Sequence, residues 1–217
     1  MQKAVIFDMD GVIVDNHNYH VKAWKEFCAI KNIPFDEQEF RTKYFGKNNH
    51  DILTGLLTKD ISEEEVIHLG EAKEELYRKI YQPYIKPVEG LKKIIKSLKI
   101  TNISLAVATS ARKPNLDFIV NSLQIEPYFD ALVDASMVQN SKPDPEIFLK
   151  AAYQLGVEPQ DCVVFEDSVS GINAAKAAGM RVVALLTTHN RNELPDASLF
   201  VKDFTDESLP DFLKIKL

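Results

Sequence analysis

A short apolar run that ends abruptly in acid limits what this chain can fold into. Lys3 leads into Ala4, Val5, Ile6 and Phe7, two of them β-branched. A run so short and so apolar fits a strand covered on both faces, as in parallel sheets. It breaks at once into Asp8-Met9-Asp10-Gly11, and Val12-Ile13-Val14-Asp15 follows. In an open α/β sheet, ligands bind beyond the carboxyl ends of the strands. Two carboxylates there repel each other, and a divalent cation on hard oxygen ligands relieves that repulsion. The alternative is that Asp8 and Asp10 are solvated turn residues and Gly11 is punctuation.

The chain has 217 residues, enough for one large or two small domains with a sizeable core. A net charge of −6 gives no electrostatic case for nucleic acid or an anionic membrane. No apolar run approaches the roughly 20 residues that a spanning helix needs, and no signal-peptide pattern opens the sequence. Cys28 and Cys162 both sit in apolar stretches. Two buried thiols in a reducing compartment is the default reading, so the cytoplasm is the expected location.

After Asp15 the periodicity changes from strand to helix. Tyr19, Ala23, Phe27 and Ile30 lie three and four apart, as do His20, Trp24 and Cys28. Leu53, Leu56 and Leu57 mark a second helical piece. Ser62 with Glu65 forms a capping box opening a helix whose expected face is Val66, Leu69, Leu76 and Ile80. Beyond Pro87-Val88-Glu89-Gly90 the style changes again. Strand-like runs Ile103–Ala108, Phe129–Val133, Cys162–Phe165 and Val182–Leu186 alternate with helical patterns, one of them opened by Asp144-Pro145 and closed by Gly156. Alternation of this kind predicts an α/β fold, a doubly wound parallel sheet with right-handed connections. The expected division is a core of residues 1–15 and 86–217, with residues 16–85 as an inserted all-helical cap. The crossings near Asp15–Asn16 and Pro83–Pro87 suit a hinge.

Three later stretches carry the chemistry such a core needs. Ala108-Thr109-Ser110-Ala111 leaves a strand with a hydroxyl and backbone N–H groups that can hold phosphate oxygens; it can equally be an ordinary turn. Lys142 precedes Pro143, and a rigid turn can aim a lysine that would otherwise be solvated. Val163-Val164-Phe165-Glu166-Asp167 repeats the pattern of an apolar strand ending in paired acids, which again calls for a cation.

Taken together, Phe7-Asp8-Met9-Asp10-Gly11, Thr109, Lys142 and Glu166-Asp167 resemble, in order and context, the motifs of the haloacid dehalogenase superfamily. The resemblance implies a Rossmann-like core with a helical cap after the first strand, closing over the active site. It implies Asp8 as a nucleophile that becomes an aspartyl phosphate and Asp10 as general acid and base. Thr109 would bind phosphate, with Ser110 and Ala111 in the same turn, and Lys142 would pair with nucleophile and phosphate. Mg²⁺ would be held by Asp8, Asp10 through its backbone carbonyl, Glu166 and Asp167. Tyr19-His20-Val21-Lys22-Ala23-Trp24 is similar to the β-phosphoglucomutase-like subgroup, in which this His and Trp line the substrate side of the cap. For His20 and Trp24, helix packing is the other reading. Gly46 fits a glycine of the cap's substrate loop.

The expected activity is a Mg²⁺-dependent phosphatase acting on small phosphorylated metabolites such as sugar phosphates, and a monomer is expected. The alternative is a β-phosphoglucomutase. Its resemblance calls for a Lys before Gly46 and an Arg three residues after it, where this chain has Phe45 and Asn49. Lys47, His50 or Arg112 are the available substitutes. A metal-free dehalogenase would lack the second Asp, and a non-catalytic binding domain is the remaining rival.

Overall fold

A computed structural model describes residues 2–44, 48–57 and 61–215. The chain divides into two compact units, Met1–Asp15 with Ile85–Leu217, and Asn16–Tyr84.

The first unit is a six-stranded parallel sheet in the order β3-β2-β1-β4-β5-β6. Its strands are β1 (Ala4–Phe7), β2 (Ser104–Ala108), β3 (Ala131–Val133), β4 (Cys162–Glu166), β5 (Arg181–Leu185) and β6 (Leu199–Val201). This is the doubly wound order in which β1 and β4 flank the point where the winding reverses. The connecting helices are α5 (Leu91–Ile100), α6 (Lys113–Ser122), α7 (Glu146–Leu155), α8 (Val169–Ala177) and α9 (Leu209–Leu213), numbered after the four of the second unit. Every residue of β1 is fully buried, as a central strand covered on both faces must be. On one face Ala4, Ile6, Ala106 and Val164 meet Phe148, Ala151 and Ala152 of α7 and Ile172 and Ala175 of α8. Phe7 stacks on Phe165 at 5.1 Å between ring centres, with Phe204 and Phe129 packed against it. Burying such a ring is worth about 3–5 kcal/mol against alanine.

Asp144 Oδ1 accepts from the Glu146 N–H at 2.9 Å, so the polar start of α7 is realised with the first regular helical residue two positions on. Two elements carry too little pattern to be read from sequence. They are β6, three residues long with Leu199 and Phe200 only half-buried, and the five-residue α9.

The second unit holds α1 (His17–Lys31), α2 (Glu37–Lys43), α3 (Asn49–Leu57) and α4 (Glu63–Tyr81). Its apolar centre is Val21, Trp24, Phe27, Cys28, Phe40, Ile52, Leu53 and Val66. Ser62 Oγ accepts from the Glu65 N–H and so starts α4. The buried line of α4 is not the expected one. It runs Val66, Gly70, Lys73, Tyr77, Tyr81, while Leu69, Leu76 and Ile80 are only half-buried. The aliphatic periodicity missed it because the line is built from a glycine, a lysine and two tyrosines. Among the described residues no helix is long and apolar enough to cross a membrane.

Candidate active site

Because β1 lies between β2 and β4, three adjacent strand ends deliver side chains to one place. The Asp8 N–H still bonds the Phe165 carbonyl at 3.0 Å, and the Thr109 N–H bonds that of Val133 at 3.0 Å. Sheet register therefore fixes where Asp8, Thr109 and Glu166-Asp167 emerge. Lys142 arrives from the loop before α7. Its Nζ donates to Asp8 Oδ1 and to Glu166 Oε1, both at 2.7 Å, with the Phe148 ring 4.7 Å from the ammonium. Asp8, Glu166 and Asp167 are buried and present carboxylate oxygens within 4.8 Å of one another.

Glu166 is held on its other side too. Its Oε2 accepts from the N–H of Asp167 at 2.7 Å, the N–H of Ser168 at 2.8 Å and the Ser168 hydroxyl at 2.9 Å. Ser168 also caps α8 by accepting from the Gly171 N–H at 3.0 Å. Asp10 lies half-buried in the tight loop that pairs it with Val14, where Gly11 takes φ +78° and donates to the Val14 carbonyl at 2.7 Å. A side chain would strain that backbone. Thr109 Oγ1 accepts from the Ala111 N–H at 3.0 Å. Ala111's own N–H is thus committed within the turn, and the Thr109 hydroxyl proton keeps its donor role.

The electrostatics are unbalanced in one direction. Burial first, then the carboxylates of Glu166, Asp167 and Asp10, push Asp8 well above the usual carboxylate range, with Lys142 pulling the other way. Burial alone would strip Lys142 of its proton, but Asp8 and Glu166 override that and hold it above the usual lysine value. One ammonium serves a cluster of buried acids. A hard divalent cation on the Asp8 and Asp167 oxygens fits this donor set and supplies the missing positive charge.

Sequence reasoning passed over the residues around this constellation. Thr188 Oγ1 donates to Asp167 Oδ2, His189 Nδ1 lies 3.2 Å from the Asp167 carbonyl, and Thr187 Oγ1 donates to the Gly11 carbonyl at 2.6 Å. The available signal was a pair of hydroxyl residues directly after a buried strand, the same signal that marks Thr109-Ser110.

In the helical unit, half-buried His20 and buried Trp24 pack around the buried Lys73. The His20 ring stacks on Tyr77 at 3.8 Å and its Nδ1 lies 3.0 Å from Lys73 Nζ. Lys73, 2% exposed, also bonds Glu74 at 2.8 Å and lies 5.0 Å from the Trp24 ring centre. Asn49 Nδ2 donates to the same Glu74 oxygen at 2.8 Å. Burial, then Lys73, lower the His20 pKa well below the usual imidazole value. Burial would raise Glu74, but Lys73, His20 and the hydrogen bonds from Lys73 and Asn49 bring it down to about 2. His50 is exposed and faces Asp51 and Glu63. Gly46, with Phe45 and Lys47, lies outside the described residues.

The model of the haloacid dehalogenase-like hydrolases matches residues 5–185. The chain is 37% identical over 191 residues to the β-phosphoglucomutase of Bacillus subtilis (strain 168), across 84% of this chain and 83% of that protein. It is 34% identical over 180 residues to the fructose-1-phosphate phosphatase YqaB of Escherichia coli (strain K12), across 83% of this chain and 94% of that one. The crystal structure of a HAD hydrolase, family IA, variant 3, from Entamoeba histolytica superposes with a TM-score of 0.89 at 31% identity, covering 99% of this chain and 100% of that one. With this sheet order, these strand ends and these relatives, the chain belongs to the haloacid dehalogenase-like hydrolases, in their β-phosphoglucomutase-like group.

Proposed function

We propose that the protein is a Mg²⁺-dependent phosphatase of small phosphorylated metabolites, sugar phosphates foremost, working through a phosphoaspartate on Asp8. The observation that carries this reading is the buried Lys142 ammonium held 2.7 Å from both Asp8 and Glu166 at the mouth of the sheet. Asp8, the Asp10 backbone carbonyl and Asp167 would hold the ion, with Glu166 contributing directly or through water. When bound, Mg²⁺ supplies charge neutralisation at the phosphate oxygens and lowers the Asp8 carboxyl towards its ionised form.

Asp8 attacks phosphorus, forming an O–P bond as the bond to the leaving oxygen breaks. Lys142 balances the charge of the nucleophile and phosphoryl group, and Thr109, with Ser110 and Ala111 beside it, orients the phosphoryl oxygens. Asp10 gives its proton to the leaving oxygen, then takes one from the water that cleaves the phosphoaspartate. The fructose-1-phosphate phosphatase relative favours a sugar phosphate as substrate. His20, Trp24 and Gly46 are assigned to the substrate side of the cap.

Isomerisation is the second reading, favoured by the identity to a β-phosphoglucomutase. A mutase holds a doubly phosphorylated intermediate, so it needs a second cationic site. Here position 49 is an asparagine spent on Glu74, and His50 faces two acids. Losing a charge-assisted contact costs roughly 1.5–3 kcal/mol, tenfold or more in affinity. Arg112, exposed beside the Thr109 turn, is the remaining cation among the described candidates.

The test supplies β-glucose 1-phosphate with a trace of the bisphosphate, and separately p-nitrophenyl phosphate, with Mg²⁺ and then with chelator. Phosphate release that chelation stops is the expected result. Glucose 6-phosphate accumulating much faster than free phosphate hands the assignment to the mutase. Chloride released from a haloacid without metal would hand it to a dehalogenase.

A further inference from the structure

The loop after β5 touches both acid-bearing loops of the core, and no motif of the sequence accounts for it. Thr187 Oγ1 donates to the Gly11 carbonyl at 2.6 Å, and Thr188 Oγ1 donates to Asp167 Oδ2. His189 Nδ1 stands 3.2 Å from the carbonyl of that same Asp167. Sheet order makes the first bond notable. β5 neighbours β4, but β1 is one strand further away, about 10 Å from β5. The loop after β5 therefore reaches past the end of β4 to hold the loop after β1.

The residue type matters as much as the reach. Lys142 already ties Asp8 to Glu166, and Asp167 adds a further carboxylate that repels both. A second lysine or arginine could offset that charge too, but it would occupy the remaining carboxylate and compete with a cation. A threonine hydroxyl donates one hydrogen bond, carries no charge and fixes one oxygen of Asp167. Such a bond leaves the negative charge of the carboxylate in place.

Building on the phosphatase reading above, we propose that Thr187 and Thr188 are positioning residues which clamp the Asp8–Gly11 loop and the Asp167 carboxylate at the separation a small divalent cation requires. The consequence is selectivity. Mg²⁺ demands near-ideal octahedral geometry at 2.0–2.1 Å, whereas Ca²⁺ accepts looser arrangements at 2.3–2.6 Å. A clamp that holds the loops close favours the smaller ion, and releasing it costs Mg²⁺ more than Ca²⁺.

The experiment measures Mg²⁺ and Ca²⁺ binding by calorimetry, without substrate, for the wild-type chain and for Thr188→Val, Thr188→Ser and Thr187→Val. Second-sphere partners of metal ligands typically contribute ten- to a hundredfold in affinity. Thr188→Val is expected to lose roughly tenfold or more for Mg²⁺ and clearly less for Ca²⁺. Thr188→Ser, which keeps the hydroxyl, is expected to bind as the wild type does. Melting temperatures in excess chelator separate this from unfolding, and Thr188→Ala replaces Thr188→Val if the latter does not fold. Wild-type Mg²⁺ affinity in both Thr188→Val and Thr187→Val overturns the clamp, as does a Thr188→Ser variant as weak as Thr188→Val, or equal losses for the two ions. A wild-type chain that binds neither ion overturns the phosphatase reading together with the clamp.

Discussion

Gly171 sits so close to Glu166 that a methyl group there would stand 1.7 Å from Oε1 and 1.9 Å from the carboxyl carbon. Glu166 would have to leave, and Lys142 would lose one of its two partners. A shift of about 1 Å at reacting groups can cost on the order of a hundredfold in rate. Gly171→Ala is therefore expected to lower kcat by about that factor while circular dichroism stays unchanged; near-normal turnover would show that Glu166 does not aim Lys142. Asp8→Asn tests the nucleophile itself. The amide still accepts a hydrogen bond from Lys142 and the strand is untouched, so the fold should persist while turnover disappears. Substantial residual p-nitrophenyl phosphate hydrolysis would remove Asp8 from its role.

Among the elements, α4 carries the least expected chemistry, a lysine on its buried line. Lys73 and Glu74 form an ion pair of which one member is 2% exposed, and His20 leans against it. Removing one partner of such a pair leaves the other buried and uncompensated, at roughly 3–5 kcal/mol. Both perturbed groups here are depressed, His20 below its usual value and Glu74 from 4.5 to about 2. The unfolded chain then binds more protons than the folded one, so stability falls as pH falls. The His20 contribution begins to go below about pH 6.5. That of Glu74 is present above about 4.5 and is lost as pH drops towards 2. Urea midpoints are expected to decline from pH 7 to pH 4, and Glu74→Gln is expected to be weaker at pH 7 with a flatter acid limb below pH 4.5. An acid limb in Glu74→Gln as steep as that of the wild type would show that the network contributes nothing to it.

The same helix marks what could be read in the sequence. The acids of β1 and β4, Thr109 and Lys142 were legible because each follows or precedes an unmistakable apolar strand or a proline turn, and a strand end converts sequence position into spatial position. Helix packing was one of the two readings of His20, but its pairing with Lys73 and Glu74 was not legible, because the members come from α1, α3 and α4 and a lysine on a buried line does not show in one dimension. Thr187 and Thr188 fell between these cases. Their strand was read, but hydroxyls that bond other loops declare themselves only when the loops are seen together. β6 was missed for want of length.

At the scale of the whole molecule, the acid cluster lies entirely within the unit of residues 1–15 and 85–217. An ion that binds only the folded form adds about 2.7 kcal/mol at a hundred times its Kd. Mg²⁺ alone is therefore expected to slow amide exchange at the ends of β1, β4 and β5 and to leave α1 and α4 unchanged; slowing confined to the helical unit would place the site elsewhere. The central position of β1 also governs how the protein comes off the ribosome. Its partners begin at Ser104 on one side and Cys162 on the other. Until β2 has been synthesised, this apolar segment destined for complete burial has no strand to pair with, and until β4 follows one of its edges stays open, so the growing chain is exposed to aggregation. Lys142, Asp167 and Thr188 all emerge late as well. A chain interrupted before Asp167 therefore carries Asp8 without the acid that completes the buried carboxylate cluster.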